Sequence, residues 1–258
     1  MSAADPPAAP PDAPSARWSE LRRFTAARVA LGRAGNGLPT AAHLDFQEAH
    51  ARARDAVQSA LDPAALEAAL APLGLPVLRV ASQAPNRRAY LLRPDLGRRL
   101  REEHRALLPP APGSLLFVIA DGLCATGVQA QAPAVIGHAL PLLRQAGIPL
   151  APIVLAEQAR VALGDEIGGA MGVRLVAMLI GERPGLMALD SLGLYLTHAP
   201  RPGRSDAERN CISNIRPGGL SPAQGAGKLV WLARAALGQG MTGVALKDEQ
   251  PRQDLLPP

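Results

Sequence analysis

The stretch RLVAMLIGERPGL, residues Arg174–Leu186, decides how this chain can fold. Its centre, Leu175–Ile180, is an unbroken apolar run that is too short for a comfortable buried helix. The turn-forming cluster Gly181–Gly185 ends the run abruptly. A short apolar run bounded by glycine and proline is typical of a strand that is buried on both faces of a parallel sheet. We therefore predict a central strand at this position.

A carboxylate, Glu182, follows the predicted strand directly. In open α/β sheets, ligands bind in the crevice outside the carboxyl ends of the strands. Glu182 is therefore a candidate ligand-binding residue. The alternative interpretation is structural: the carboxylate pairs with Arg183 or another arginine and only anchors the turn.

The amino-acid composition argues against one class of function, nucleic-acid binding. Of 258 residues, 48% are hydrophobic, so the chain can bury a large core, whereas only 3% are aromatic. The formal charge of +5 comes almost entirely from arginine, because Lys228 and Lys247 are the only lysines. Proteins that bind single-stranded nucleic acid stack the bases on aromatic side chains, which are scarce here. We therefore expect no nucleic-acid partner.

The two cysteines, Cys124 and Cys211, stand far apart and match no metal-ligand spacing. We expect both to be reduced thiols and predict no metal site. The N-terminus lacks the basic and apolar regions of a signal peptide. No apolar run approaches the roughly 18 residues needed to span a bilayer. These features predict a cytoplasmic protein without a membrane partner.

The first 108 residues are predicted to form two parts. Residues 1–16 are an Ala/Pro-rich tail that has nothing to bury, so we expect disorder. Residues 17–108 form a mostly helical N-terminal region, and the linker-like segment Pro109–Gly113 follows it. The elements predicted for this region are helices over Trp18–Leu31, Ala41–Ala60 and Pro63–Leu70, a strand over Leu75–Ala81, and a helix that Asp95 caps and that runs to Leu107.

Residues 113–250 alternate strand and helix patterns, which indicates a Rossmann-like domain with a mainly parallel sheet. The fold class is therefore α/β, with a helical N-terminal region before the sheet domain. The predicted strands are Leu115–Ala120, Pro149–Leu155, Leu175–Ile180, Leu192–Thr197, which a short connection makes antiparallel, and Gly243–Leu246. The predicted helices are Ala130–Ala146, Val161–Gly172 and Pro222–Leu237.

The polar segment Pro200–Leu220 is predicted to be a loop, and its length indicates a ligand or partner surface. It contains Cys211. The chain has no G-x-S-x-G, H-E-x-x-H or Walker motif, and no G-x-G-x-x-G follows a strand. A nicotinamide cofactor is therefore not supported. The polar candidates stand instead at several strand ends, which suits a large polar ligand at the edge of the sheet. They are Asp121, the Arg160–Val161 turn, Glu182 and the Cys211 loop.

Six blocks of the chain carry a family resemblance. The blocks are TAARVALGRAGNGLPT (Thr25–Thr40), YLLRPDLGRRL (Tyr90–Leu100), VIADGL (Val118–Leu123), ARVALGDEIG (Ala159–Gly168), LIGERPGL (Leu179–Leu186) and ERNCISNIRPGGL (Glu208–Leu220). Together they resemble the small (light) subunit of ethanolamine ammonia-lyase. The resemblance runs from about Trp18 to Glu249.

The resemblance implies an enzyme that depends on adenosylcobalamin and converts ethanolamine to acetaldehyde and ammonia. It implies a partner, the large subunit, whose TIM barrel holds ethanolamine, with cobalamin lying between the subunits. It further implies a hetero-oligomer with several copies of each subunit, in the cytoplasm or inside a bacterial microcompartment. The resemblance assigns no catalytic residue and no metal ligand to this chain.

Three positions match the family's cobalamin contacts: Val161, Glu182 and Cys211. Two neighbouring positions depart from the family, since Ala159 replaces the usual glycine and Cys124 stands where serine is commoner. The chain lacks the D-x-H-x-x-G pattern, so the resemblance implies that the cofactor's own dimethylbenzimidazole stays on cobalt. Two alternatives remain: a self-sufficient Rossmann-like enzyme acting on a small nucleotide, and a scaffold without cofactor contact.

Overall fold

The computed structural model describes residues 18, 20–25 and 27–250, which form two compact units. The first unit contains the described residues up to Asp55 together with Gly185–Ala188. The second contains Ala56–Pro184 and the described residues from Leu189 onward. The tail predicted for residues 1–16 lies outside the described residues. The predicted linker at Pro109–Gly113 falls within the second unit.

The second unit is built on one mixed sheet of six strands. The strands are β1 (Val77–Ala81), β2 (Leu115–Ala120), β3 (Ile153–Glu157), β4 (Leu175–Gly181), β5 (Leu192–His198) and β6 (Arg209–Ile215). Their order across the sheet is β1-β3-β2-β4-β5-β6, with parallel pairing from β1 to β4 and antiparallel pairing from β4 to β6. The predicted α/β class, the mainly parallel sheet and the antiparallel β5 are therefore confirmed.

Helices cover both faces of this sheet. Alternate residues of β2 point to opposite sides, so Phe117 joins one hydrophobic core and Val118 joins the other. The helices are α1 (Thr40–Gln58), α2 (Pro63–Leu70), α3 (Arg87–Leu92), α4 (Ala125–Gln145), α5 (Val161–Met171) and α6 (Pro222–Gln239). The first core contains residues of α2, α4 and α6, and the second contains residues of α5.

Several helix ends follow directly from the sequence. The Asp62 side chain accepts a hydrogen bond from the Ala65 amide and caps α2. Ser221 and Gln224 form a capping box at the start of α6, where Pro222 is the first helical residue. Gly172 ends α5 in the left-handed conformation. No helix within the described ranges is both long and apolar enough to cross a membrane.

Two predicted helices are shorter in the structure. The helix predicted over Trp18–Leu31 reaches only Arg23, because the Arg22 side chain donates to the Val29 and Ala30 carbonyls and the chain folds back. The helix predicted from Asp95 to Leu107 is broken. Asp95 pairs with Arg93 instead of capping, and two 3-10 turns, Leu96–Arg98 and Glu102–Leu107, flank an extended segment at Leu100.

Two further elements differ from prediction. The helix α4 begins at Ala125 rather than Ala130, because the Cys124 sulfur accepts a hydrogen bond from the Gly127 amide and caps it. The strand predicted over Gly243–Leu246 is a turn, in which the Asn210 side chain binds the Gly243 amide and two nearby carbonyls. Side-chain hydrogen bonds thus replace the backbone hydrogen bonds that would pair a strand with its neighbour.

Candidate functional site

A cleft of about 470 Å³ opens at the carboxyl ends of the parallel strands of the second unit. We call it the strand-end cleft. Helices α4 and α5 leave neighbouring strands toward opposite faces of the sheet, which is the arrangement that creates ligand crevices in α/β folds. Both tyrosines of the chain line it. The lining residues are Tyr90, Gly122, Leu123, Arg160, Val161, Ile180, Gly181, Glu182, Arg183 and Tyr195.

Two glycines bring the ends of β2 and β4 together on one side of the cleft. Gly122 has a positive φ of 54°, and a Cβ there would lie 2.3 Å from the Gly181 carbonyl oxygen. A Cβ on Gly181 would lie 2.1 Å from the Cys124 carbonyl oxygen. The Leu123 amide donates to the Gly181 carbonyl at 3.0 Å. This close approach places Glu182 beside the end of β2.

Asp121 is buried directly behind the cleft and fixes the turn between β3 and α5. Its carboxylate accepts hydrogen bonds from the backbone amides of Gly122, Gln158 and Ala159 at 3.0–3.1 Å. Arg87 pairs with it at 3.3 Å. Burial raises the pKa of Asp121, and the amides and Arg87 oppose that shift. The turn it holds leads into Arg160 and Val161, both of which line the cleft.

Tyr90 is buried between two guanidinium groups at the same end. Arg87 lies 4.8 Å and Arg160 lies 4.2 Å from the centre of its ring. Its hydroxyl donates to the Ala159 carbonyl at 3.1 Å. Burial raises the pKa of Tyr90 to about 12, so the phenol is neutral and remains a donor at physiological pH. Tyr90 therefore holds the turn from one side while Asp121 holds it from the other.

Glu182 also lines the cleft, and its carboxylate joins three segments of the chain. Oε2 accepts from the Ser191 hydroxyl at 2.6 Å and from the Asn214 amide at 3.2 Å, and Oε1 accepts from the Ser213 hydroxyl. Its partners are serines and a backbone amide, so the predicted alternative of an ion pair with Arg183 is not observed. An ionised carboxylate has about four acceptor positions. One position therefore remains for a further donor.

Cys211 lies on a strand and not on a loop, contrary to the prediction for Pro200–Leu220. The strand β6 pairs with β5, and Cys211 stands opposite Tyr195. Burial raises the pKa of the Cys211 thiol, and hydrogen bonding to Tyr195 opposes that shift. The thiol is consequently neutral at physiological pH and is a poor nucleophile.

The structure therefore brings the three predicted residues to one region. Val161 and Glu182 line the same cleft, and Cys211 contacts Tyr195, which also lines it. The sequence argument from the residues selected Asp121 and the Arg160–Val161 turn, but it did not select Tyr90 or Tyr195. The scarcity of aromatic residues was the available signal, because two of the few in the chain converge on one cleft.

The chemistry of the cleft suits binding more than bond breaking. It combines hydrogen-bond acceptors, fixed cations, a neutral thiol nearby and apolar surface from Val161 and Ile180. Over the residues that the structure describes, no three His, Cys, Asp or Glu side chains are grouped so that they could hold a metal ion.

Comparison with known proteins points to one family. The family described as ethanolamine ammonia-lyase light chain (EutC) matches residues 15–247 of this chain. The ethanolamine ammonia-lyase small subunit of Rhodopseudomonas palustris is 55% identical over 233 residues, which cover 89% of each chain. That of Bradyrhizobium diazoefficiens is 53% identical over 243 residues, 93% of each chain. That of Azotobacter vinelandii is 54% identical over 238 residues, 90% of this chain and 88% of the relative.

Proposed function

Because the chain belongs to the ethanolamine ammonia-lyase light chain family, we propose that it is the small subunit of such an enzyme and binds part of adenosylcobalamin at the strand-end cleft. The large subunit is the proposed partner, and it holds ethanolamine. The assembly contains several copies of each subunit and resides in the cytoplasm or in a bacterial microcompartment. The overall reaction converts ethanolamine to acetaldehyde and ammonia.

The observation that carries this proposal is the convergence of Val161, Glu182 and Cys211 on one region of the second unit. These residues come from three separate parts of the sequence, yet two line the cleft and the third stands opposite a lining tyrosine on the neighbouring strand. The cofactor, when bound, supplies the radical chemistry through homolysis of its cobalt–carbon bond. The residues of this chain bind and orient it.

The donors and acceptors of the cleft fit a corrinoid. The rim of cobalamin carries amide side chains and its nucleotide arm carries hydroxyls, so both offer hydrogen-bond donors. Glu182 has one acceptor position left for such a donor. The neutral Cys211 thiol and the Val161 side chain provide surfaces that pack against a ring without reacting with it.

The size of the cleft fits a shared site. Pockets for drug-sized ligands measure about 300–1,000 Å³, and cobalamin is several times larger than such a ligand. A cleft of about 470 Å³ therefore encloses only a part of the cofactor. The remainder needs a second surface, which the proposed large subunit provides.

The experiment that tests the proposal is reconstitution with the large subunit from the same genome. This chain alone should show no deaminase activity and at most weak cobalamin binding, whereas the mixture should show both activity and tight binding. Equilibrium dialysis with the visible absorbance of cobalamin measures the affinity directly. Turnover of ethanolamine by this chain alone would reject the assignment.

The substitution Glu182→Ala tests the site within the reconstituted complex. It leaves a cofactor donor unpaired at a partly dry interface, which costs about 1–3 kcal/mol. Cobalamin affinity should fall roughly 5- to 150-fold. Glu182→Gln keeps one acceptor oxygen and should lose less. Turnover at saturating cofactor should change little, because Glu182 takes no part in the rearrangement. An unchanged affinity together with a lowered melting temperature would leave Glu182 a purely structural role.

A further inference from the structure

Arg160 is the most firmly immobilised cation in the wall of the strand-end cleft. Its backbone amide donates to the Gly97 carbonyl at 2.8 Å, and Nη2 donates to the Tyr90 carbonyl at 3.1 Å. Its guanidinium lies 4.2 Å from the centre of the Tyr90 ring. The backbone hydrogen bond, the side-chain hydrogen bond and the face of the Tyr90 ring thus hold the guanidinium in one position.

Gly97 makes room for this arrangement. A Cβ at position 97 would lie 2.9 Å from Cγ of Arg160 and 3.1 Å from two carbons of the Tyr90 ring. Any larger residue at position 97 would therefore push the arginine off the ring. The space that Gly97 leaves therefore lets Arg160 stack on the Tyr90 ring.

The charge of Arg160 has no counter-charge among the described residues. The Asp121 carboxylate pairs with Arg87, and the Glu182 carboxylate is bound by serines and an amide. Within the described part of the chain no acidic side chain lies within salt-bridge distance of Arg160, and its buried Nε has no hydrogen-bond acceptor. A fixed and uncompensated cation in a cleft favours an anionic group on the ligand.

The start of α5 adds to this preference. Arg160 is the N-cap residue of α5, and no side chain caps that end of the helix. Helix N-termini carry a partial positive charge and unpaired amides, so they favour anions. Val161, the first residue of the helix, lines the cleft beside Arg160.

We propose that Arg160 binds the phosphodiester of the cofactor's nucleotide arm. This inference rests on the proposed function, since it takes the ligand to be cobalamin. The corrin amides and ribose hydroxyls are neutral, and the phosphodiester is the anionic group that joins them. Guanidinium is the side-chain group that best matches phosphate oxygens. Arg160 therefore selects corrinoids that carry a nucleotide arm.

The test compares two corrinoids in the complex of this chain with the large subunit. Cobalamin carries the phosphodiester, whereas cobinamide has the same corrin ring and amides but lacks the phosphate, ribose and base. Equilibrium dialysis gives the affinity of wild-type and variant complexes for each. Arg160→Gln should lower cobalamin affinity about 10- to 150-fold. The affinity of the Arg160→Gln complex for cobinamide should stay within about threefold of wild type, because cobinamide lacks the group that Arg160 contacts. Comparing the two ligands isolates this one contact, as a double-mutant cycle does.

Arg88→Gln is the matched control, because it removes the same charge from an exposed position of α3 that does not line the cleft. It should change both affinities by less than about threefold, since exposed charges are screened. Arg160→Lys keeps the charge but not the planar fork, and it should recover part of the loss. Gly97→Ala leaves Arg160 in the sequence but displaces it, so it should reproduce the selective loss of cobalamin affinity.

Two results would overturn the assignment. The first is an equal loss of both affinities in Arg160→Gln, which would mean that Arg160 only supports the fold of the cleft. The second is unchanged cobalamin affinity in that variant. If the wild-type complex binds neither corrinoid, the proposed function itself fails and this inference fails with it.

Discussion

Asp121 and Glu182 are carboxylates that follow neighbouring parallel strands, and the structure uses them differently. Asp121 follows β2 and is 1% exposed, with three backbone amides and Arg87 as partners. Glu182 follows β4 and is half-buried, with two serine hydroxyls and one amide as partners. Asp121 therefore has one charged partner, whereas all the partners of Glu182 are neutral.

Within one site, Asp121 therefore supports the fold of the cleft, whereas Glu182 is available to contact a ligand. The partners of Asp121 belong to the turn that leads into α5, so Asp121 positions the residues that line the cleft. Glu182 lies in the lining itself and keeps one acceptor position for a ligand. Loss of the first should act mainly on folding, and loss of the second should act mainly on ligand affinity.

The largest expected effect is that of Asp121→Ala on stability. It leaves the Arg87 guanidinium buried without its partner and releases two amides of the β3–α5 turn. Removing one member of a buried ion pair costs about 3–5 kcal/mol. Urea denaturation of this chain measures the change. The control Asp95→Ala breaks the surface pair with Arg93 and should leave the midpoint almost unchanged. Equal midpoints for the two variants would show that Asp121 does not support the turn.

A smaller effect on stability is expected for Glu182→Ala. Ser213 and Asn214 are exposed, so water replaces the lost acceptor for both, and only the buried Ser191 hydroxyl loses its partner. The cost should be about 1–2 kcal/mol. The same denaturation experiment measures it. A cost as large as that of Asp121→Ala would remove the distinction between the two carboxylates and would make Glu182 a folding residue.

The sequence predicts the central strand, the antiparallel β5 and the position of Glu182 because these depend on local patterns. An apolar run closed by Gly181–Gly185 specifies a buried strand, and the connection after β4 is too short for a crossover. The caps at Asp62 and Ser221 are equally local. Interactions within a few residues decide such features.

The strand β6 could not be predicted in the same way. Its buried residues Ile212 and Ile215 stand three apart, whereas their partners Leu194 and Leu192 stand two apart, because a bulge interrupts the pairing. The bulge breaks the alternation of period two that identifies a strand. The polar residues between them therefore indicate a loop in the sequence, although the backbone pairs with β5.

The contacts around Arg160 could not be predicted from the sequence either. Tyr90 and Arg160 stand 70 positions apart, and their contact depends on the tertiary packing of Gly97. The broken helix after Asp95 has the same origin, since the Leu100 amide donates to the buried Glu166 carboxylate of α5 at 2.7 Å. Tertiary partners of this kind override local helix propensity.

The smallest expected effect concerns the reactivity of Cys211, which reports the charge on Glu182. Burial raises the pKa of Cys211, and the nearby Glu182 charge raises it further. Alkylation proceeds through the thiolate, so at pH 8 iodoacetamide should modify Cys211 more slowly than it modifies glutathione. The rate should increase as the pH passes 9, because the fraction of thiolate increases. The variant Cys211→Ser gives the background from buried Cys124.

Substitution of the two carboxylates by their amides completes the comparison. Glu182→Gln removes a negative charge beside Cys211, so the pKa of the thiol should fall and alkylation at pH 8 should accelerate about two- to threefold. Asp121→Asn removes a charge that does not contribute to the pKa of Cys211, and the rate should stay unchanged. If both variants react at the wild-type rate, the Glu182 carboxylate does not act on the thiol. If both accelerate, the substitutions have opened β6, and hydrogen exchange along that strand would show it.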